Sequence, residues 1–267
     1  MPDSATKPDV DWVFGVHGVQ ALLDVSPQDV RRLVISDGPR NRQVSQLTAT
    51  ARAAGVRIER VPRQALDRYL KRATSGRSVI GGVVNHQGVA AERHAFAPST
   101  ESDLETRWPS FENPLLVVLD GIEDPRNLGA CLRTAEAAGA DAVLIPRHGS
   151  APLSSAAAKA ASGAMERLFV VEVANLARRL AWLQAQGVWV SGGVEDETAM
   201  IYTEVDYRGS VALVVGGEGR GLRRLSRERC DHLVRIPMAS TMPSLNVSVA
   251  LGVLLFEAVR QRAAQRP

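Results

Sequence analysis

The sequence predicts an α/β protein built of two blocks, and three observations support this. Strand-sized apolar runs alternate with segments of helical spacing along most of the 267 residues. The runs of the second block are apolar at consecutive positions, as expected for strands buried on both faces of a mainly parallel sheet. Between the blocks, periodicity dissolves into Ala, Pro, Ser, Thr and acidic residues. The division places one domain at 11–90, a linker at 91–112 and a second domain at 113–267.

The first block opens with a helix at Val16–Leu23 and a strand at Arg31–Ser36. A helix at Asn41–Ala54 follows, with Val44, Leu47 and Ala51 at helical spacing and Gly55 as its stop. A strand at Val56–Val61, a helix at Arg63–Lys71 and a strand at Ser78–Val84 complete it. In the second block, strands are expected at Leu115–Asp120, Ala142–Pro146, Leu168–Val171, Val188–Ser191, Val211–Val215 and His232–Ile236. Helices fall between them at Asn127–Ala138, Pro152–Gly163 and Asn175–Gln186, with a last one at Val247–Ala264. That last helix is apolar almost all round, which predicts deep packing or a subunit interface.

Composition excludes several classes. No apolar run approaches the length of a membrane span, and the opening residues lack the basic start and apolar stretch of a signal peptide. Cys131 and Cys230 could form one disulfide, but they make neither a disulfide framework nor a metal-ligand pair. A reduced cytoplasmic setting without metal is the expectation. Residues 1–100 carry 14 Lys and Arg against 9 Asp and Glu, whereas the remainder carries 18 against 20. A basic block beside a near-neutral one suits a polyanion-gripping module joined to a working module; scatter of charge is the plainer reading.

Ligands of open α/β sheets bind in loops at the carboxyl ends of strands. Three such loops stand out here. The first is 120–129, running into a helix with Asn127 and Arg133. A helix start offers free N–H groups to an anion, and an arginine on the next turn can reach a phosphate. Asn127 could equally cap the helix while Arg133 stays solvated, and Asp120 could be a plain strand-end acid. The second is Gly216-Gly217-Glu218-Gly219-Arg220-Gly221, which lacks both the P-loop ending and the dinucleotide fingerprint. It reads either as a tight turn or as a wall against which a ligand lies closely, with Glu218 placed for a hydroxyl or a cation. The third is 237–246, where Ser244 or Asn246 can cap the last helix. Arg220, Arg223, Arg224, Arg227 and Arg229 cluster in and after the glycine loop, as RNA-backbone contacts or as a solvated helix face. His17 and His86 are weaker candidates for RNA contact.

Together the loops resemble the signature motifs of the SpoU/TrmH family in the SPOUT superfamily. The matching stretches are Asp-Pro-Arg-Asn-Leu-Gly-Ala-Cys-Leu-Arg-Thr-Ala (124–135), Gly-Gly-Glu-Gly-Arg-Gly-Leu (216–222) and Ile-Pro-Met-Ala-Ser-Thr-Met-Pro-Ser-Leu-Asn-Val-Ser-Val-Ala (236–250). Phe-Gly-Val-His-Gly-Val-Gln-Ala-Leu-Leu (14–23) resembles the start of the family's small L30e-like α/β RNA-binding domain. The resemblance implies a trefoil-knotted, parallel-sheet catalytic domain that forms a homodimer. It also implies methyl transfer from S-adenosylmethionine to a ribose 2′-hydroxyl, of a guanosine in large-subunit ribosomal RNA. Gly216, Gly217, Glu218, Gly219, Ile236, Met238, Ser244 and Leu245 would then hold the donor. Asn127, Arg133, Glu218 and Asn246 would serve the reaction: the family gives Arg133 the proton of the hydroxyl, but a guanidinium rarely gives up its own, so the preferred reading is that Arg133 clamps the adjacent phosphate and stabilises the nascent alkoxide. A transfer-RNA or antibiotic-resistance methylase, a catalytically idle RNA-binding protein and a nucleotide-dependent oxidoreductase are the alternatives.

Overall fold

A computed structural model of the chain describes residues 10–37, 42–74, 86–239 and 244–264. In chain order its elements are β1 (Val10–Phe14), α1 (Val16–Val25), β2 (Val30–Ser36), α2 (Arg42–Ala53), β3 (Ile58–Val61), α3 (Arg63–Thr74) and β4 (Val89–His94). There follow α4 (Glu101–Arg107), β5 (Leu115–Asp120), α5 (Pro125–Ala137), β6 (Ala142–Pro146), α6 (Ser155–Ala161), α7 (Ala164–Arg167), β7 (Val170–Val173) and α8 (Leu176–Ala185). The last are β8 (Trp189–Gly193), β9 (Met200–Ile201), β10 (Val211–Gly216), α9 (Arg224–Arg227), β11 (His232–Arg235) and α10 (Val247–Ala263). The chain divides into two compact units, Met1–Ala97 with Leu153–Arg167, and Pro98–Pro152 with Leu168–Pro267.

The first unit holds a four-stranded sheet of order β1-β4-β2-β3, in which only the β2–β3 pairing is parallel. Its two faces bury separate clusters, one around Leu22, Leu33 and Leu47, the other around Phe14, Leu66 and Leu70. Strand β1 has no period-2 signal strong enough to predict it. It is fixed by pairing with β4 across some eighty positions, which local patterning does not encode. The strand expected at Ser78–Val84 lies outside the described residues. His86 is buried: its Nδ1 accepts the Gly88 N–H and its Nε2 sits 3.1 Å from Asp67, so it braces a turn rather than facing RNA. The helix expected at Pro152–Gly163 is shorter and broken, with Ser162 at φ 51° separating α6 from α7. It belongs to the first unit by packing, where Glu166 of α7 meets Arg93 of β4 at 2.5 Å, both side chains buried. Burial pushes the Glu166 carboxyl up against the pull of Arg93.

The second unit is a seven-stranded sheet of order β7-β6-β5-β10-β8-β11-β9, with every pairing parallel. Strand β5, next to the central β10, is buried at all six positions, as continuous apolar runs require. Because β10 pairs directly with β5, residue for residue from Val211–Leu115 to Gly216–Asp120, the loops that follow both strands emerge side by side.

The stretch 91–112, expected as a linker, contains the end of β4 and the helix α4. Thr100 and Asp103 form a reciprocal capping box there, a signal at the right spacing in a segment that composition alone marks as unstructured. Glu101 ties α4 down: it accepts the Ala174 N–H at 2.6 Å and pairs with the buried Arg179. Burial works to raise the Glu101 carboxyl, but the Arg179 and Ala174 hydrogen bonds outweigh it and leave it below the usual range.

Helix α10 buries Val247, Leu251, Leu254, Leu255 and Ala258 but leaves Val249 and Phe256 half exposed, so it is packed on one side only. Among the described residues no helix is long and apolar enough to cross a membrane, and no group of three metal-ligating side chains occurs. Cys131 and Cys230 are both free, and burial pushes each thiol up to about 12.

Candidate active site

The first loop leaves β5 at Asp120 and enters α5 with Pro125 in its first turn. Asp124, not Asn127, caps this helix, its carboxylate accepting the Arg126 N–H at 2.7 Å. The capping reading of Asn127 is therefore corrected: the residue lies inside the first turn with its amide free for other work. That amide donates to Glu218 Oε1 at 2.8 Å.

Glu218 is carried by the glycine loop after β10. The loop lies flat on its neighbours: Gly217 donates to the Asp120 carbonyl at 3.1 Å and accepts from the Gly221 N–H at 2.9 Å. A Cβ on Gly217 would come 2.4 Å from the Gly121 carbonyl oxygen, so only glycine allows this approach.

Asn246 ends the third loop and caps α10. Its Oδ1 accepts the Ser248 N–H at 3.0 Å, while its Nδ2 donates to Glu218 Oε1 at 2.8 Å and to Asn127 Oδ1 at 3.0 Å. Asn127, Glu218 and Asn246 thus close a triangle, with one carboxylate oxygen held by two amides.

Glu218, the acceptor in the triangle, lines a cavity of about 630 Å³. Gly216, Gly217, Glu218, Gly219, Ile236, Met238, Ser244 and Leu245 all line it, although residues 240–243 of the third loop lie outside the described residues. Val194, Glu195, Asp196 and Glu197, from the loop after β8, form a further wall that the sequence reading missed. The rule that ligands gather at carboxyl ends of strands would have flagged them, since three acids follow a glycine pair there. Asp196 is pinned by the Thr198 N–H and hydroxyl and by Arg227, which together hold its carboxyl below the usual range. A second cavity of about 260 Å³ is lined by Asp120, Glu123, Asn127 and Glu218 among others and shares glycine-loop residues with the first.

Arg133 is not part of this constellation. It lies exposed on α5, lines neither cavity and has no partner among the described residues. The arginine cluster is divided in role. Arg224 pairs with Glu228 at 2.6 Å and Arg227 with Asp196 at 2.5 Å; Arg220 is 88% exposed, 3.7 Å from Glu123; Arg223 reaches across to the first loop.

A fully parallel sheet with polar side chains converging beside a cavity at its carboxyl edge defines an α/β enzyme domain, here joined to a small basic α/β unit. Residues 114–256 match the SpoU rRNA Methylase family, and residues 12–76 match the RNA 2′-O ribose methyltransferase substrate-binding domain. The chain belongs to the SpoU rRNA methylase family and is a methyltransferase. It is 47% identical to the 23S rRNA (guanosine-2′-O-)-methyltransferase RlmB of Xanthomonas campestris pv. campestris over 252 residues, covering 94% of this chain and 96% of that one. It is 46% identical to RlmB of Yersinia pestis, covering 94% and 97%. The crystal structure of an AdoMet-bound rRNA methyltransferase from Sinorhizobium meliloti superposes with a TM-score of 0.73 at 27% identity, over 94% of this chain and 87% of that one.

Proposed function

We propose that the protein transfers the methyl group of S-adenosylmethionine to the ribose 2′-hydroxyl of a guanosine in 23S ribosomal RNA, in the cytoplasm and as a homodimer. The observation that carries this reading is the triangle: two amides, from the start of α5 and the end of the third loop, converge on the Glu218 carboxylate, which lines the larger cavity. The high identity to the RlmB proteins over nearly the whole chain supports the substrate. The basic first unit, 11–90 by sequence, would grip the RNA, and the knotted path implied by family resemblance is part of the same proposal.

The cavity fits the donor. Its volume lies within the range of small-molecule sites, its glycine wall allows close backbone approach, and its carboxylates suit a cationic sulfonium and ammonium. Gly216, Gly217, Gly219, Ile236, Met238, Ser244 and Leu245 would hold it. When bound, the donor supplies an electrophilic methyl: the C–O bond to ribose forms as the C–S bond breaks, leaving a neutral thioether and releasing the hydroxyl proton. Glu218 is held by two amide donors on Oε1, which leaves Oε2 as an acceptor for that hydroxyl. Asn127 and Asn246 orient the carboxylate, and fixed orientation supplies much of the acceleration in a direct displacement. Arg133, exposed and without a partner among the described residues, is available to a substrate phosphate. The half-exposed Val249 and Phe256 on α10 are the apolar surface a second copy would cover.

The test is transfer of label from radiolabelled S-adenosylmethionine to 23S ribosomal RNA, followed by mapping of the product. Label on one guanosine ribose, reduced at least about tenfold by Arg133→Ala, supports the reading. Label on a base or on transfer RNA alone would sink it.

A further inference from the structure

We infer that Arg223 is a positioning residue for methyl transfer: with Asp120 it clips the glycine loop to the first loop and so sets the distance between Glu218 and Asn127. The inference rests on the reading of the site as a methyltransferase centre. Asp120 ends β5 and is 1% exposed, yet its carboxylate has only one hydrogen-bond donor among the described residues, the Arg223 N–H at 2.9 Å, 103 positions along the chain. Its other oxygen faces Arg223 Nε at 3.5 Å. The far end of the same guanidinium donates to the Gly149 carbonyl at 2.8 Å, with the His148 carbonyl at 3.4 Å. A Cβ at Gly149 would lie 2.3 Å from Arg223 Nη2, so the loop after β6 is shaped to admit that group. That loop is itself fastened to the first loop, Ala151 donating to the Ile122 carbonyl at 2.7 Å.

One planar fork therefore joins the ends of β5, β6 and β10. Asn127 sits in the helix turn that follows the first of these loops and Glu218 on the last loop, while the donor cavity is built from the glycine loop, the third loop and the loop after β8. Arg223 and Asp120 do not line that cavity; both line the smaller one beside Asn127. Loss of the clip should thus disturb the chemical step and leave donor affinity largely intact. A phosphate-binding arginine would behave otherwise, weakening RNA binding and its salt dependence.

The experiment compares wild type with Arg223→Ala, Arg223→Lys and Asp120→Asn. Calorimetry with S-adenosylmethionine gives donor affinity; single-turnover transfer to a saturating 23S ribosomal RNA fragment gives the rate; RNA binding is followed against salt. Hydrogen exchange at the Gly217 and Arg223 amides is read without RNA or donor. The expected result is a rate lower by about 100-fold in Arg223→Ala, of the size that misplacement of about 1 Å produces. Donor affinity should stay within about threefold, the salt slope unchanged and both amides exchanging faster. Lysine should recover little of the rate, because a single ammonium cannot span Asp120 and Gly149 as the fork does. It also keeps the test open if the alanine variant melts. An unchanged rate, a donor affinity that falls as far as the rate, a full rescue by lysine, or a salt slope lower by about one would each overturn the inference. If wild type methylates no ribosomal RNA, the functional reading fails, while amide exchange still decides whether Arg223 holds the loops.

Discussion

Asn246→Asp separates the two jobs of this residue. Aspartate caps helices as well as asparagine does, so its oxygen should still accept the Ser248 N–H and α10 should keep its start. What changes is the other side-chain atom: the amide that donates to Glu218 Oε1 at 2.8 Å and to Asn127 Oδ1 at 3.0 Å becomes an acceptor. Two carboxylate oxygens about 2.8 Å apart repel by about 1.5 kcal/mol at the dielectric of water, the appropriate limit for so exposed a pair. The lost charge-assisted hydrogen bond adds about 1 kcal/mol after the same discount for solvent. The sum of roughly 2.5–3 kcal/mol corresponds to about a 100-fold fall in the rate of a step that needs the triangle intact. Single-turnover methyl transfer at saturating donor and RNA should show that fall, whereas the thermal midpoint should drop by less than the sum implies, because the exposed Glu218 side chain can turn away in the resting protein. Asn246→Ala, which also loses the cap at about 1 kcal/mol, should lower the midpoint by a few degrees as well. Turnover of Asn246→Asp within about threefold of wild type would show that the triangle does not govern the reaction, since no weaker effect of the substitution is left to invoke.

Two further outcomes follow from the geometry. Gly217→Ala puts a Cβ 2.4 Å from the Gly121 carbonyl oxygen and forces the glycine loop off the loop that follows β5. Donor affinity measured by calorimetry should fall by about tenfold, with stability lower by roughly 1–3 kcal/mol, and unchanged binding would contradict the close approach. Glu101 has a carboxyl held below its usual range, so its pairing stabilises the ionised form. That contribution is present above the ordinary carboxylate pKa and is lost as pH falls through the depressed folded-state value. Glu101→Gln should therefore lower the urea midpoint at pH 7 and flatten its decline towards pH 3; parallel curves for the two proteins would rule the pairing out as a source of stability.

The sheet of the second unit was legible because its strands are continuous apolar runs set between helical segments. β5, β6 and the start of β10 fall where the runs of Leu, Val and Ile fall. Elements fixed by distant pairing or by polar contacts were not legible. β1 and β4 are held by each other, and α4 by its capping box and by Glu101, none of which leaves a periodic trace. The loop chemistry was legible as composition, and the donor-wall residues it named do share one cavity. The loop at 194–197 was missed because its strand was read only to Ser191, leaving the glycines and acids beyond it without a structural place. Arg223 was legible only as one member of a charge cluster, since its partners lie 103 and 74 positions away and become neighbours only through the pairing of β10 with β5.

Capping and catalysis appear in the sequence as competing explanations for an asparagine at a helix start, and the site shows why they need not compete. An amide carries both an acceptor and donors, so Asn246 satisfies the orphan N–H at the start of α10 through Oδ1 and still presents Nδ2 to Glu218. Asn127 reaches the same carboxylate by the opposite route, because Asp124 has taken over the cap. In both cases the helix start fixes the backbone, and the backbone fixes the amide. A carboxylate could cap Asn246's helix equally well, and a serine nearly so, but neither could cap with an acceptor while donating an N–H to Glu218. The requirement for asparagine at 246 therefore comes from the triangle rather than from the helix.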